Sequence, residues 1–331
     1  MMPRLPGVEA RNVRLLGALA AAVVVAFLLS LSVGPAGFGL SFPGEAGALI
    51  FREIRLPRAV LGALIGGALG LSGAALQGYL RNPLAEPSLV GVSGGAALGA
   101  VLAIHLGLSS ALALALPLGG LLGAALAMLA VLALAGAHGG PVTLILAGLA
   151  VSAIATALIS LALNLSQNPF AAVEMVFWMM GSLADRSLTQ VWIAAPLMLA
   201  GIGLLLTVAR ALDALTLGED AATSLGIDLA RTRLAVVAGT ALAVGAATAV
   251  TGIIGFVGLI VPHLLRPLAG HRPGLLLPAS LLGGALMLLV ADVALRLLAP
   301  WVELRIGVLT ALIGAPFFVW LVLRTRSELA P

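Results

Sequence analysis

No cysteine occurs in the 331-residue chain, which excludes a disulfide framework, a thiolate metal site and a cysteine nucleophile and leaves the redox compartment open. Lysine is absent too. The chain therefore has no G-x-x-x-x-G-K-[ST] phosphate loop and no evident route to nucleotide hydrolysis of its own. Charge of both signs is scarce, at 9% of residues, and aromatics make up 4%. The formal net charge of +4 comes from arginines scattered between apolar runs, a placement that reads as topology signal and argues against nucleic-acid binding. Polar loops longer than about 25 residues are missing, so residues 1–331 are expected to form one membrane domain.

What is present fits a bilayer. Hydrophobic residues make up 61% of the chain, in repeated runs near 20 residues, as a polytopic all-α membrane protein requires. The 41 glycines suit such a bundle, because small residues let helix backbones approach where lipid supplies no hydrophobic drive for association. Gly62, Gly66 and Gly70 recur every fourth residue, as do Gly91, Gly95 and Gly99, which predicts close helix packing. Ten spans are predicted, near 15–33, 58–79, 88–106, 111–135, 142–164, 190–209, 233–251, 255–269, 276–296 and 306–323. The first follows Arg4, Arg11 and Arg14 and is too long, and too soon followed by another, for a cleaved signal. With both termini cytoplasmic, eleven of the 17 arginines fall inside and six outside, the expected sign of bias. Two outer groups weaken it: "FREIRLPR" at 51–58, and Arg296 with Arg305.

Between the sixth and seventh spans lies a polar island, "LGEDAATSLGIDLARTR" (217–233). Glu219 and Asp220 suit the first turn of a short helix, Gly226 its stop, and Asp228 the cap of the next helix. It reads either as a solvated loop anchoring span ends or as a docking element for a cytoplasmic partner. In the fifth span Ser152, Thr156, Ser160 and Asn164 recur every fourth residue and form a slanted polar stripe. Such hydroxyls either bond back to their own helix and glue neighbours, or wall a pathway. Ionisable residues at mid-membrane depth are nearly missing, which counts against the alternative class, an ion-gradient-driven secondary transporter. Four histidines, His105, His138, His263 and His271, lack ligand spacing, so no metal site is expected. "RNPLAEP" (81–87) reads as a cytoplasmic turn, and residues 170–181, with Met175, Trp178, Met179 and Met180, as an interfacial helix.

Several long segments resemble the FecCD family, the permeases of binding-protein-dependent ABC importers for iron–siderophore complexes, heme and cobalamin. They are "RLPRAVLGALIGGALGLSGAALQGYLRNPLAEPSLVGVSGGAALGA" (55–100), "FWMMGSL" (177–183), "LGEDAATSLGID" (217–228), "GIIGFVGLIVPHLLRPLAGH" (252–271), "LLP" ending at Pro278, "AD" (291–292) with Arg296, and "IGVLTALIGAPFF" (306–318). The resemblance implies a type II importer permease of about ten helices in the bacterial inner membrane. It also implies a homodimer, two cytoplasmic ATPase subunits holding ATP and Mg, and a periplasmic binding protein; this chain is expected to bind no cofactor.

By the same resemblance, Leu217, Gly218, Glu219, Asp220, Ala221, Ala222, Leu225, Gly226 and Asp228 form the ATPase-coupling element. The fifth-span stripe would line the pathway, and Pro141 with Val142 would form the cytoplasmic gate. Arg55, Arg58 and Arg296 would form an outer basic site for acidic residues of the binding protein. On the residues alone these arginines could instead anchor lipid or pair with Glu53 and Asp292. The chelate itself stays open among siderophore, heme and cobalamin.

Overall fold

A computed structural model describes residues 6–34, 37–38, 45–136, 139–298 and 304–329. Arg4 and His138 lie outside the described residues, as does the side chain of Arg326. The elements in chain order are α1 (Pro6–Ser32), α2 (Glu45–Ile50), α3 (Leu56–Tyr79), α4 (Val92–His105), α5 (Leu108–Ala111), α6 (Ala115–Ala135), α7 (Pro141–Asn164) and α8 (Pro169–Met179). There follow α9 (Leu188–Thr207), α10 (Ala209–Leu215), α11 (Glu219–Ser224), α12 (Leu229–Thr251), α13 (Val257–Leu265), α14 (Pro273–Leu298) and α15 (Ile306–Leu329). A two-residue antiparallel pairing, Val33–Gly34 with Gly37–Phe38, is the only sheet among the described residues. The all-α expectation holds.

Local chemistry sets several boundaries. Prolines open α3, α7 and α8 within the first two positions, where the missing N–H costs nothing. Ser187 and Gln190 form a capping box at the start of α9. Among the described residues, 8 helices are long and apolar enough to cross a membrane. They match eight of the ten expected spans. The other two, 88–106 and 255–269, are served by the shorter helices α4 and α13, of 14 and 9 residues. The α13 segment follows a break in which Gly252 has φ 76° and Phe256 φ 67°. Irregular backbone at membrane depth is tolerable where protein covers it, and α13 packs on α3 and α14.

Helix α3 lies at the centre, against α14, α13, α12 and α9, while α4 packs on α6 and α12 on α9 and α6. The glycine repeats predicted from sequence sit at these crossings. A Cβ on Gly66 would lie 2.2 Å from the Gly284 carbonyl oxygen, and one on Gly99 1.9 Å from that of Gly119. Backbones this close leave room for nothing larger than hydrogen. Because α3 runs the length of the bundle, it defines two ends, one marked by Arg58 and the other by Tyr79.

Candidate coupling and gating site

At the Tyr79 end, the polar island folds as the sequence pattern predicts. Gly218, at φ 101°, turns the chain out of α10, and the six-residue α11 opens with Glu219 and Asp220. It closes with paired bonds from Gly226 N to Thr223 O (2.9 Å) and Ile227 N to Ala222 O (3.0 Å), with Gly226 at φ 83° as the left-handed residue. Asp228 caps α12 by accepting from Arg231 N at 3.0 Å and pairs with its guanidinium at 3.1 Å. Ala222 is fully buried, whereas Leu217 and Leu225 are 69% and 65% exposed and flank α11 like two apolar prongs.

The 81–87 turn holds this element. Glu219 pairs with Arg81 at 3.2 Å, which joins α11 to the 81–87 turn. Both side chains are about half exposed, so the pair contributes about 0–1 kcal/mol and chiefly sets orientation. The turn is itself fastened inward: Gln77 donates to Ala85 O at 3.2 Å and accepts from Arg266 at 2.5 Å. Asp213, on α10, accepts from Gly274 N at 2.7 Å and so caps the start of α14.

The expected gate lies beside this element. Pro141 is half-buried at the first turn of α7, and Val142 is 69% exposed. Just before them, Gly139 O accepts a 2.6 Å bond from Arg233 on α12. Between the two structures is a cleft of about 270 Å³, lined among others by Tyr79, Gly139, Pro141, Glu219, Leu229 and Arg233.

Along α7, Leu144, Ala147, Val151, Ala155, Ile159 and Ala162 are buried against the bundle. The polar stripe lies off that face: Ser152 is half-buried, and Thr156, Ser160 and Asn164 are exposed. Thr156 donates to Ser152 O and Ser160 to Thr156 O, each at 2.9 Å. Their hydrogens are thus committed to the helix, while the hydroxyl oxygens remain able to accept.

At the Arg58 end the outer arginines meet partners inside the protein. Arg55, Arg58 and Arg296 do converge, but not as an open basic patch. Asp292, 1% exposed, receives Arg58 in two-pronged fashion, Nε to Oδ1 at 2.9 Å and Oδ2 at 3.1 Å, and Arg296 at 2.9 Å. Arg296 also donates to Ser30 O and Val33 O at 2.7 Å, and Arg55 to Leu31 O at 3.0 Å. These arginines thereby occupy the last carbonyls of α1, whose helix dipole favours cations there. With Arg55 8% and Arg296 5% exposed, their charges serve an internal brace. Pairing with Asp292, one of the sequence alternatives, is what is found; Glu53 instead meets Arg52 at 3.8 Å on the surface.

The histidines do not assemble. His263 packs edge-on against Phe317 and Trp320, with centroids 5.6 and 6.4 Å away, and His271 sits in a turn at φ 57°. Among the described residues no group of three or more His, Cys, Asp or Glu could hold a metal ion. In α8, Met175 and Trp178 face inward.

The FecCD transport family matches residues 22–324. The vitamin B12 import system permease proteins BtuC of Salmonella paratyphi A and of Salmonella typhi are each 41% identical to this chain over 326 residues, covering 96% of it and 97% of the relative. A solved metal-chelate type ABC transporter, in an inward-facing conformation, superposes with a TM-score of 0.85 at 33% identity, covering 94% of this chain and 99% of that one. Nothing in these likenesses supports an ion-gradient-driven transporter. In this family ATP hydrolysis lies in a partner subunit, and the long apolar helices are those of a multi-pass inner-membrane protein. The chain belongs to the FecCD transport family, as the membrane permease of an ABC importer.

Proposed function

We propose that this permease carries a corrinoid of the vitamin B12 kind, or a metal chelate close to it, inward across the membrane. It works as one of two identical subunits. Two ATPase subunits, which hold the ATP and Mg, dock on residues 217–228, and a substrate-binding protein delivers cargo at the Arg58 end. The observation that carries the reading is α11: a short acidic helix between two left-handed glycines, presenting Leu217 and Leu225 outward from the end of an otherwise apolar bundle. Exposed leucines beside charge at a helix of this size suit a groove in a soluble partner.

The orientation follows from charge. The end of α1 reaches the Arg58 end, so its start lies at the Tyr79 end with Arg11 and Arg14, and α15 brings Arg324 to the same side through the Trp320 and His263 contact. Placing that arginine-rich end in the cytoplasm satisfies the positive-inside bias. Pro141 and Val142 then form the inner gate, and the Ser152, Thr156, Ser160 and Asn164 stripe lines the path between the two copies. Acceptor oxygens on an uncharged wall let a bulky polar ligand pass without a deep electrostatic trap.

The test is uptake by proteoliposomes holding the permease with its ATPase and binding protein, offered labelled cyanocobalamin, a ferric siderophore and heme separately. ATP-dependent accumulation of cyanocobalamin above the other two is expected. Accumulation driven by a proton gradient without ATP would overturn the importer mechanism. Preference for heme or the siderophore would overturn the corrinoid assignment alone.

A further inference from the structure

The coupling element and the gate do not sit flush. A cleft of about 270 Å³ is lined by Glu219 of α11, by Leu229 and Arg233 of α12 and by Gly139 and Pro141 at the start of α7. A displacement of α11 therefore has slack to cross before it presses on Pro141. Arg233 spans that slack. It stands one turn into α12, after the Asp228 cap that ends the coupling element, and it is 9% exposed. Its Nη1 donates at 2.6 Å to Gly139 O, on a residue 94 positions away in sequence. The acceptor is a backbone carbonyl, two residues before the Pro141 that opens α7, and the intervening Gly140 has extended geometry with φ −77° and ψ −176°. A charged donor on a neutral carbonyl makes a strong, directional bond. Helix α12 is a stiff lever for it, since 78% of its most apolar stretch is buried.

We propose that Arg233 is a positioning residue for transport: it ties the first turns of α12 to the segment that begins α7, so that movement of the coupling element repositions the gate. The inference rests on the reading of residues 217–228 as the ATPase dock. The cleft supplies the room this motion needs, and Arg81, bonded to Glu219, keeps α11 in register with the 81–87 turn during it.

The experiment uses the complete transporter in proteoliposomes, with ATP hydrolysis and cyanocobalamin uptake measured on the same preparation. Arg233→Met keeps the length and loses the donors. It is expected to lower uptake per ATP tenfold or more while hydrolysis changes less than threefold, and Arg233→Lys, which restores a charged donor, should recover part of the loss. A second readout follows the gate itself. The chain has no cysteine, so Val142→Cys gives one thiol per subunit, whose labelling rate should differ between nucleotide-free and vanadate-trapped complexes. In the Arg233→Met background that difference should vanish, whereas a Leu225→Cys thiol at the dock should still respond. If Arg233→Met does not assemble, Arg233→Gln carries both readouts. Unchanged uptake per ATP, or a Val142→Cys thiol that still responds, overturns the tie. A parent complex that shows no ATP-dependent uptake overturns the importer reading instead, so the two failures are distinct.

Discussion

Helices α3 and α7 are each 24 residues long, yet they meet opposite surroundings. In the span that contains α3, 83% of the most apolar stretch is buried inside the protein; in α7 the share is 33%, although α7 is the more hydrophobic of the two. In water this order would be perverse. In a bilayer apolarity only admits a helix to the membrane, and close contact is decided by small side chains and satisfied polar groups. Helix α3 has glycines at 66 and 70 set against Gly284 and Ser280, and it carries Arg58 and Gln77 into bonded partnerships. Helix α7 presents Leu146, Ile154, Leu158 and Leu161 outward, together with its hydroxyl stripe. Its outer face suits lipid and a second copy. Helix α12 sides with α3, and α15, with 22% of its stretch buried, sides with α7.

The contrast can be broken hardest at Asp292, which joins α14 to α3. Asp292→Ala leaves the buried Arg296 and the half-buried Arg58 guanidinium without their carboxylate and should cost about 3–5 kcal/mol, seen as a large fall in the thermal unfolding temperature of the detergent-solubilised protein. An unfolding temperature within a degree of the parent would mean that the brace carries no stability. Gly66→Val comes next. Its first added carbon would lie 2.2 Å from Gly284 O, so α3 and α14 must part at a cost of about 3 kcal/mol or more, whereas Ala153→Val on the open face of α7 should change stability by less than about 0.5 kcal/mol. Equal effects at the two sites would remove the distinction between core and peripheral helices.

A smaller effect is expected at the proposed dock. Arg81→Ala should cost about 0–1 kcal/mol in folding because its pair with Glu219 is solvated, with the deficit shrinking further at high salt. The smallest effects sharpen the comparison through hydroxyls. Thr156→Val on α7 removes a bond made to its own helix and should shift stability by about 0.5 kcal/mol or less. Thr240→Val on α12 replaces a buried hydroxyl that has no hydrogen-bond partner among the described residues, and should be neutral or slightly stabilising. Differential scanning of both variants checks the pair; a clear loss for Thr240→Val would point to a partner on that hydroxyl.

The class of protein, eight of the ten spans and the shape of the polar island were legible because each is local. Apolar run length marks a span, and Gly218, Gly226 and Asp228 mark turns and caps within a few residues. The fate of the outer arginines was not local. Arg296 is buried because Ser30 and Val33, more than 260 positions earlier, offer carbonyls to it, and no spacing in the chain reveals that. The same holds for Arg233 and Gly139. The spans 88–106 and 255–269 looked complete because hydrophobicity continues through them, whereas the helices begin only after Gly91 and Phe256, which take left-handed backbone. Only one signal for the arginine brace was present in the sequence, an aspartate four residues before Arg296 on the same helix face.

The bonds from Arg296 to Ser30 and Val33 also impose an order in time. Helix α1 is made well before α14; Arg55 can reach Leu31 O soon after it emerges, but the side chain that fastens Ser30 O and Val33 O belongs to α14. At a synthesis rate of ~5–20 residues per second, those two carbonyls wait roughly 13–50 s before Arg296 exists. During that interval the Ser30 and Val33 carbonyls must be served by water or headgroups at the bilayer surface, so one seam of the newborn chain stays open until α14 arrives.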